Sequence, residues 1–247
     1  MKKNKSISLS ITFFLFILFL ITIFKFEIIE SILVLIIKPK NFFVARESLS
    51  VIARQHIFIV LISSSLSILI AMTIAIITRF IFADELEDFI LEIATFGQTI
   101  PTVAVLALLV PILGYGFRPA LFALFIYGIL PVLRNTIEGF NVISEDIKEA
   151  ARAMGMSRWQ MIKKVEIPLA LPSIMAGIRI SLILNISVAT IGATVGLAGF
   201  GTLIVNGIRS DDIIMILKGA IPVSLLALTV ESLFMNLEKR FQLPEKQ

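Results

Sequence analysis

Cysteine is absent from the 247 residues, which excludes disulfides, thiolate metal sites and cysteine nucleophiles. Histidine occurs once, as His56, and neither a G-x-S-x-G nor an H-E-x-x-H pattern is present. The nearest serines, Ser63, Ser64, Ser65 and Ser67, lie about two turns or more along the same helix, so no nucleophile–base pair forms locally. Charge is scarce too: 16% of residues are charged against 57% hydrophobic, with a mean hydropathy of +0.98. No soluble core of this size buries that much apolar surface, so the class is an all-α polytopic membrane protein. The length of the apolar runs points to helices rather than to a barrel. A formal charge of +4 is small and scattered, which speaks against nucleic acid as a partner. The chain has one Trp and two Tyr, and the positions of Trp159, Tyr115 and Tyr127 predict no aromatic cage for a cationic ligand.

What the chain has instead is long apolar runs. Lys2, Lys3 and Lys5 lead into residues 7–24, followed by Lys25, Phe26 and Glu27 rather than a small-residue cleavage site. This reads as an uncleaved first span with its N-terminus inside. Residues 28–37 are too short and too closely flanked by charge to cross alone, so 25–56 reads as an extracytoplasmic or interfacial segment. Five further spans follow at 57–78, 89–113, 120–133, 169–191 and 213–235. An acidic patch at Asp84, Glu85, Glu87 and Asp88 follows Arg79, and Gly114, Gly116 and Pro119 mark a tight turn. Arg134, Lys148, Arg152, Arg158, Lys163 and Lys164 cluster after span four, and Lys239, Arg240 and Lys246 close the chain. The basic residues therefore place both termini, and the loop after span four, in the cytoplasm.

That loop, residues 149–172, is the longest polar interruption between spans. Ser144 stands where it can cap a first short helix, with Glu145 and Asp146 at the positive end of its dipole. Ile147, Ala150, Ala151 and Met154 share one face. Gly155 occupies the position of a left-handed terminator, and Ser157 with Gln160 forms a capping-box pattern that starts a second helix. Pro168 and Pro172 bracket the approach to the next span. Two alanines and a glycine let another backbone come close, so a docking site fits better than a solvated linker.

Glu149-Ala150-Ala151, Gly155 and then Val165-x-Ile167-Pro168 resemble the EAA motif of ABC-importer permeases, Val165 standing where isoleucine is usual. Gln98-Thr99-Ile100-Pro101, Leu130 to Thr136 (LPVLRNT) and Pro168 to Arg179 (PLALPSIMAGIR) are similar to the osmoprotectant branch, whose members import glycine betaine, choline and carnitine. The likeness runs from about His56 to Phe241. It implies a type I permease domain over 56–241, after an N-terminal anchor and segment at 1–55 and before a cytoplasmic tail at 242–247. It further implies that the loop is a coupling helix seated in a cytoplasmic ATPase dimer. The remaining implied partners are an extracytoplasmic substrate-binding protein and a second permease chain, identical or different. ATP and magnesium would belong to the ATPase, leaving this chain neither enzyme nor cofactor carrier. Ergothioneine, another zwitterion or an amino acid is an alternative solute.

The remaining candidates have two readings each. Gly192, Gly196, Gly199, Gly201 and Gly207 serve either close helix packing or a broken, gate-like segment beside a pathway. They form no phosphate-binding loop, since no Lys-Ser or Lys-Thr closes the pattern. Gln98, Thr99 and Pro101 put polar groups and a helix break within span three; these, with Asn185 and Thr190 in span five, either join helices or line a polar pathway. His56, at the head of span two, is expected near the interface. Glu92 and Glu231 are the carboxylates that an ion-coupled transporter would need at mid-membrane, yet both are expected near a surface.

Overall fold

The computed structural model describes residues 3–37, 47–81 and 84–241, which are almost wholly helical and contain no strand. The expected tail at 242–247 and the charged stretch at 38–46 lie outside the described residues. Eleven α-helices follow in order among them: α1 Lys3–Phe24, α2 Phe26–Ile37, α3 Leu49–Ile81, α4 Asp84–Thr99, α5 Thr102–Leu113, α6 Phe117–Asn141, α7 Glu145–Ala153, α8 Arg158–Met161, α9 Ile167–Ile191, α10 Phe200–Ser210 and α11 Ile213–Phe241. Four long apolar segments can each cross a bilayer: α3, α6, the continuous stretch from Arg158 to Val195, and α11. Two bent pairs, Leu9–Phe24 with Phe26–Ile37 and Leu86–Thr99 with Thr102–Leu113, turn by 79° and 88° and bring the count to as many as six when each pair is taken as one span.

Several expected boundaries move. Span two begins at Leu49 rather than at 57, so Arg54 and His56 lie inside a 33-residue helix about 50 Å long. Span three carries the break expected at Pro101, which has no amide hydrogen to continue α4, and the chain restarts at Thr102. Span four extends through the polar residues Arg134, Asn135 and Thr136 to Asn141, their side chains bonding within the helix or onto its neighbours. The second helix of the polar loop is not separate either. It runs through a π-helical turn at Ile162–Glu166, before Pro168, into α9.

The centre of the fold is α6 packed on α9, with α3 alongside. Buried aliphatics from these three helices, among them Val132, Leu133, Ile137, Ile174 and Ala71, fill one core layer. In lipid the hydrophobic effect does not drive helices together, so close approach and interhelical hydrogen bonds must. The sequence supplies both. A Cβ at Gly177 would stand 2.7 Å from the Pro131 carbonyl oxygen, and one at Gly139 2.9 Å from Ser173 Cβ. Ser181 Oγ donates to the Gly128 carbonyl at 2.8 Å, and Ser67 Oγ to the Phe125 carbonyl at 2.9 Å. On the other flank α1 packs on α11 and the head of α3, where Thr12 Oγ1 meets Ser232 Oγ at 2.5 Å.

Gly177→Ala is expected to push α6 and α9 apart at a backbone contact that has no flexible side chain to yield. Overpacking of this kind costs about 1–3 kcal/mol. A melting curve of the purified protein in detergent would show it; an unchanged midpoint would mean the two helices do not depend on that contact.

Candidate functional site: the loop between the two central helices

Each half of the polar loop is built by local chemistry. Helix α7 ends in a paired Schellman arrangement, Gly155 N–H to Arg152 O at 2.9 Å and Met156 N–H to Ala151 O at 3.2 Å. That geometry places Gly155 at φ +75°, and nothing lies within 4 Å of the space a Cβ would take. Ser157 and Gln160 form both bonds of the expected capping box. Ser144 stands at the N-cap of α7, but its side chain makes no capping bond, so the capping expected there is absent.

The faces of α7 divide cleanly. Ala151 and Lys148 turn inward, while Glu149 and Ala150 are exposed, as are Ile147 and Met154, 42% and 69% exposed respectively. Trp159 on α8, 52% exposed, adds to the same uncovered apolar surface. Glu145 accepts from Lys148 Nζ at 2.8 Å and from Arg152 Nη2 at 3.1 Å. The Lys148 ammonium, with Arg152 beside it, holds the Glu145 carboxyl below the usual carboxylate range. It therefore stays ionised at neutral pH, and its contribution is lost only as the pH falls through that lowered value.

Behind the loop lies an ion cluster. Glu166 is fully buried and accepts from Arg79 Nε at 2.7 Å and Arg158 Nη1 at 3.3 Å. Arg158 also donates to the Arg79 carbonyl, and Arg79 Nη1 donates to Asn141 Oδ1 at 3.3 Å. Asn141 Nδ2 reaches Glu87 Oε2 at 3.4 Å. Arg79 of α3 and Arg158 of α8 thus meet on one carboxylate at the stretch leading into α9, and Arg79 carries the network on through Asn141 of α6 to Glu87 of α4. Motif reading passed over Glu166, the variable position between Val165 and Ile167. It treated Arg79 and Arg158 only as markers of topology. The available signal was an acid at a span's head just after Arg158, Lys163 and Lys164.

The pathway candidates do not converge; they form two hydrogen-bond sets. Gln98 Nε2 donates to the Tyr127 carbonyl at 2.7 Å, and the Tyr127 hydroxyl donates to the Ile100 carbonyl, so the α4–α5 break is fastened to α6. Thr99 Oγ1 bonds back to Phe96 O at 2.7 Å, and Pro101 opens α5. Asn185, fully buried, donates to Ser64 Oγ at 2.9 Å and Ser63 Oγ at 3.4 Å, joining α9 to α3. Thr190 bonds to Ile186 O at 2.9 Å within its own helix.

At the opposite end from the polar loop, α9 gives way to a 3-10 turn at Gly192–Val195, then Gly196, Gly199 and α10. Gly116 N–H donates to Val195 O at 2.7 Å, bringing the α5–α6 turn against this segment. Close packing explains Gly201, where a Cβ would lie 2.0 Å from the Thr190 carbonyl oxygen. His56 does not present its ring to the surroundings of the bundle. Its ring is fully buried, 5.2 Å from the Phe200 ring, because α3 starts earlier and carries it inside the bundle. Glu231 is paired with Arg179 at 2.5 Å, and Glu92 is exposed, so neither is an isolated buried carboxylate. No group of three or more His, Cys, Asp or Glu able to hold a metal occurs among the described residues.

Paired central helices joined by a polar helix-turn, with a broken span beside them, are the architecture of a type I ABC-importer permease. The methionine ABC transporter MetNI, in an inward-facing conformation, aligns with a TM-score of 0.67 and 20% identity, over 76% of this chain and 94% of that one. The chain belongs to the family of binding-protein-dependent transport system inner membrane components, whose model matches residues 71–243. It is a multi-pass permease subunit, with ATP hydrolysis on a separate subunit and a substrate-binding protein as partner. Similar proteins include the carnitine transport permease protein OpuCB of Listeria monocytogenes, 42% identical over 75% of this chain and 84% of that one. The osmoprotectant import permease protein OsmW of Salmonella typhimurium is 36% identical over 74% and 87%. The glycine betaine/carnitine/choline permease OpuCB of Bacillus subtilis is 36% identical over 75% and 85%.

Glu166→Gln would leave Arg79 and Arg158 facing each other without their shared counter-charge. Losing one partner of a buried pair costs on the order of 3–5 kcal/mol. Thermal unfolding in detergent is expected to show a large drop, whereas a wild-type midpoint would mean the cluster is solvated.

Proposed function

We propose that the chain is the permease for a small quaternary-ammonium compatible solute, such as glycine betaine, carnitine or choline, carried into the cytoplasm. The observation that supports this best is its likeness to permeases named for those solutes in several bacteria. Selectivity then resides in the binding protein, in keeping with a chain whose one Trp and two Tyr build no cage. Both termini and the α6–α9 loop face the cytoplasm, and residues 1–55 anchor a permease domain over 56–241.

In this reading Glu149, Ala150, Ala151 and Gly155 form the coupling element, with Val165, Ile167 and Pro168 fixing its return into α9. The exposed Ile147–Ala150–Met154 face seats in the ATPase, and Ala151 holds the helix to its own spans. Two permease chains pair across the pathway. ATP binding closes the ATPase dimer, α7 follows its groove, and differential contact with the two ATPase states rocks the spans. Thr99 and Thr190, near the α4–α5 and α9–α10 breaks, line the pathway. Gln98, Pro101 and Asn185 shape it through the helix contacts they hold. Gly192, Gly196, Gly199 and Gly201 form the outer gate.

Gly155→Asp is expected to insert and fold, since a non-glycine residue in the left-handed region costs only about 1–2 kcal/mol and meets no neighbour here. It should abolish uptake while the ATPase continues to turn over. Uptake of labelled glycine betaine, choline and carnitine would be measured in deletion cells complemented with wild type or variant. Wild-type uptake by the variant would sink the coupling assignment; no dependence of any of the three solutes on the gene would sink the solute class.

A further inference from the structure

Helix α1 ends at Phe24, where the chain turns by 79° into α2. A perpendicular turn of a 12-residue helix, too short to cross, marks the membrane boundary at that end. The head of α3 lies at the same level, because Phe24, Ser50 and Arg54 line one groove between the two helices. From there the groove runs inward past Phe58 to Phe19 and Leu61. Seven residues separate Arg54 from Leu61, which is about 10 Å along the helix axis.

The polarity of this groove is graded. Arg54 and Ser50 stand at its mouth, and the walls beyond are aliphatic and aromatic. Its rim is apolar and uncovered: Phe24 is 68% exposed, Phe58 57% and Leu61 54%. That rim continues onto the outward face of α1, where Phe13, Phe14 and Phe16 are exposed as well. A surface of this kind faces acyl chains rather than water. Arg54 is exposed and makes no ion pair among the described residues. A guanidinium at headgroup depth, above an apolar slot, matches a phosphodiester above an acyl chain.

We propose that the groove between α1 and the head of α3 binds a phospholipid of the leaflet at the α2 end, with its acyl chain along Phe58 and Leu61 and its phosphate on the Arg54 guanidinium. The lipid cements the N-terminal hairpin, which lies outside the family match beginning at residue 71, onto the permease. The inference is independent of which solute is carried.

The absence of cysteine makes the test clean. Phe58→Cys and, separately, Leu61→Cys give a single position on the purified permease chain for a nitrobenzoxadiazole label, attached before the importer is assembled and reconstituted. The vesicles would contain phosphatidylglycerol or diacylglycerol, each brominated on the acyl chain. Quenching by the phosphatidylglycerol is expected at roughly fivefold lower mole fraction than by the diacylglycerol, and Arg54→Gln should erase that difference. Native mass spectrometry of the unlabelled complex should show retained phosphatidylglycerol that Arg54→Gln loses. Equal quenching by both lipids overturns the proposal. So does no quenching at either position, which would mean that protein, such as a second copy, covers the groove.

Discussion

Everything in this permease depends on how closely α6 and α9 can approach. A membrane provides no water to expel between spans, so two apolar helices gain nothing from meeting unless their backbones come near enough for dispersion and hydrogen bonds. Gly139 opposite Ala170 and Ser173, and Gly177 opposite Pro131 and Val132, allow that approach. Gly128 makes room for Ser67, Ser181 and Asn185 at the point where α3 joins the pair. These two helices are also the ones that α7 connects. A displacement of α7 therefore moves a packed hairpin rather than a loose loop.

The second constraint is electrostatic. Glu166 brings a full charge into a place with no solvent, where its cost is repaid only by good geometry from several donors. Arg79 and Arg158 supply that geometry, and Asn141 extends the chain of contacts to Glu87. The carboxylate fixes α3 against α8 and the stretch leading into α9, and the contacts of Arg79 and Asn141 bring in α6 and α4 at the same end. Arg179, bonded to both Glu231 and Glu238, does the same between α9 and α11. A charge that a proton- or sodium-coupled carrier would use for coupling is here spent on holding helices in register.

The EAA loop was legible because its chemistry is local. A Schellman terminator at Gly155 and a capping box at Ser157 need only neighbours in the chain, and both form. Ser144 shows the limit, since a suitable residue at a cap position still makes no side-chain capping bond. Pro101 announced a break in span three, but not that Gln98 and Tyr127 would fasten the break to α6. Gly192 to Gly201 suggested either packing or a broken segment. The structure contains both, with Gly196 and Gly199 in the turn and Gly201 pressed against Thr190.

By itself the sequence determined the membrane class, the order of the spans, the loop motif and its terminators. Each of these follows from hydropathy or from bonds among residues a few positions apart. Only the tertiary structure decided that His56 is buried against Phe200, and that Asn185 bonds to Ser63 and Ser64. It also decided that the variable residue of the motif, Glu166, is buried and paired with Arg79 of α3. Those outcomes rest on partners tens to more than a hundred residues away. Their contacts exist once small side chains let the helices close, and no local pattern encodes which polar atoms then face each other.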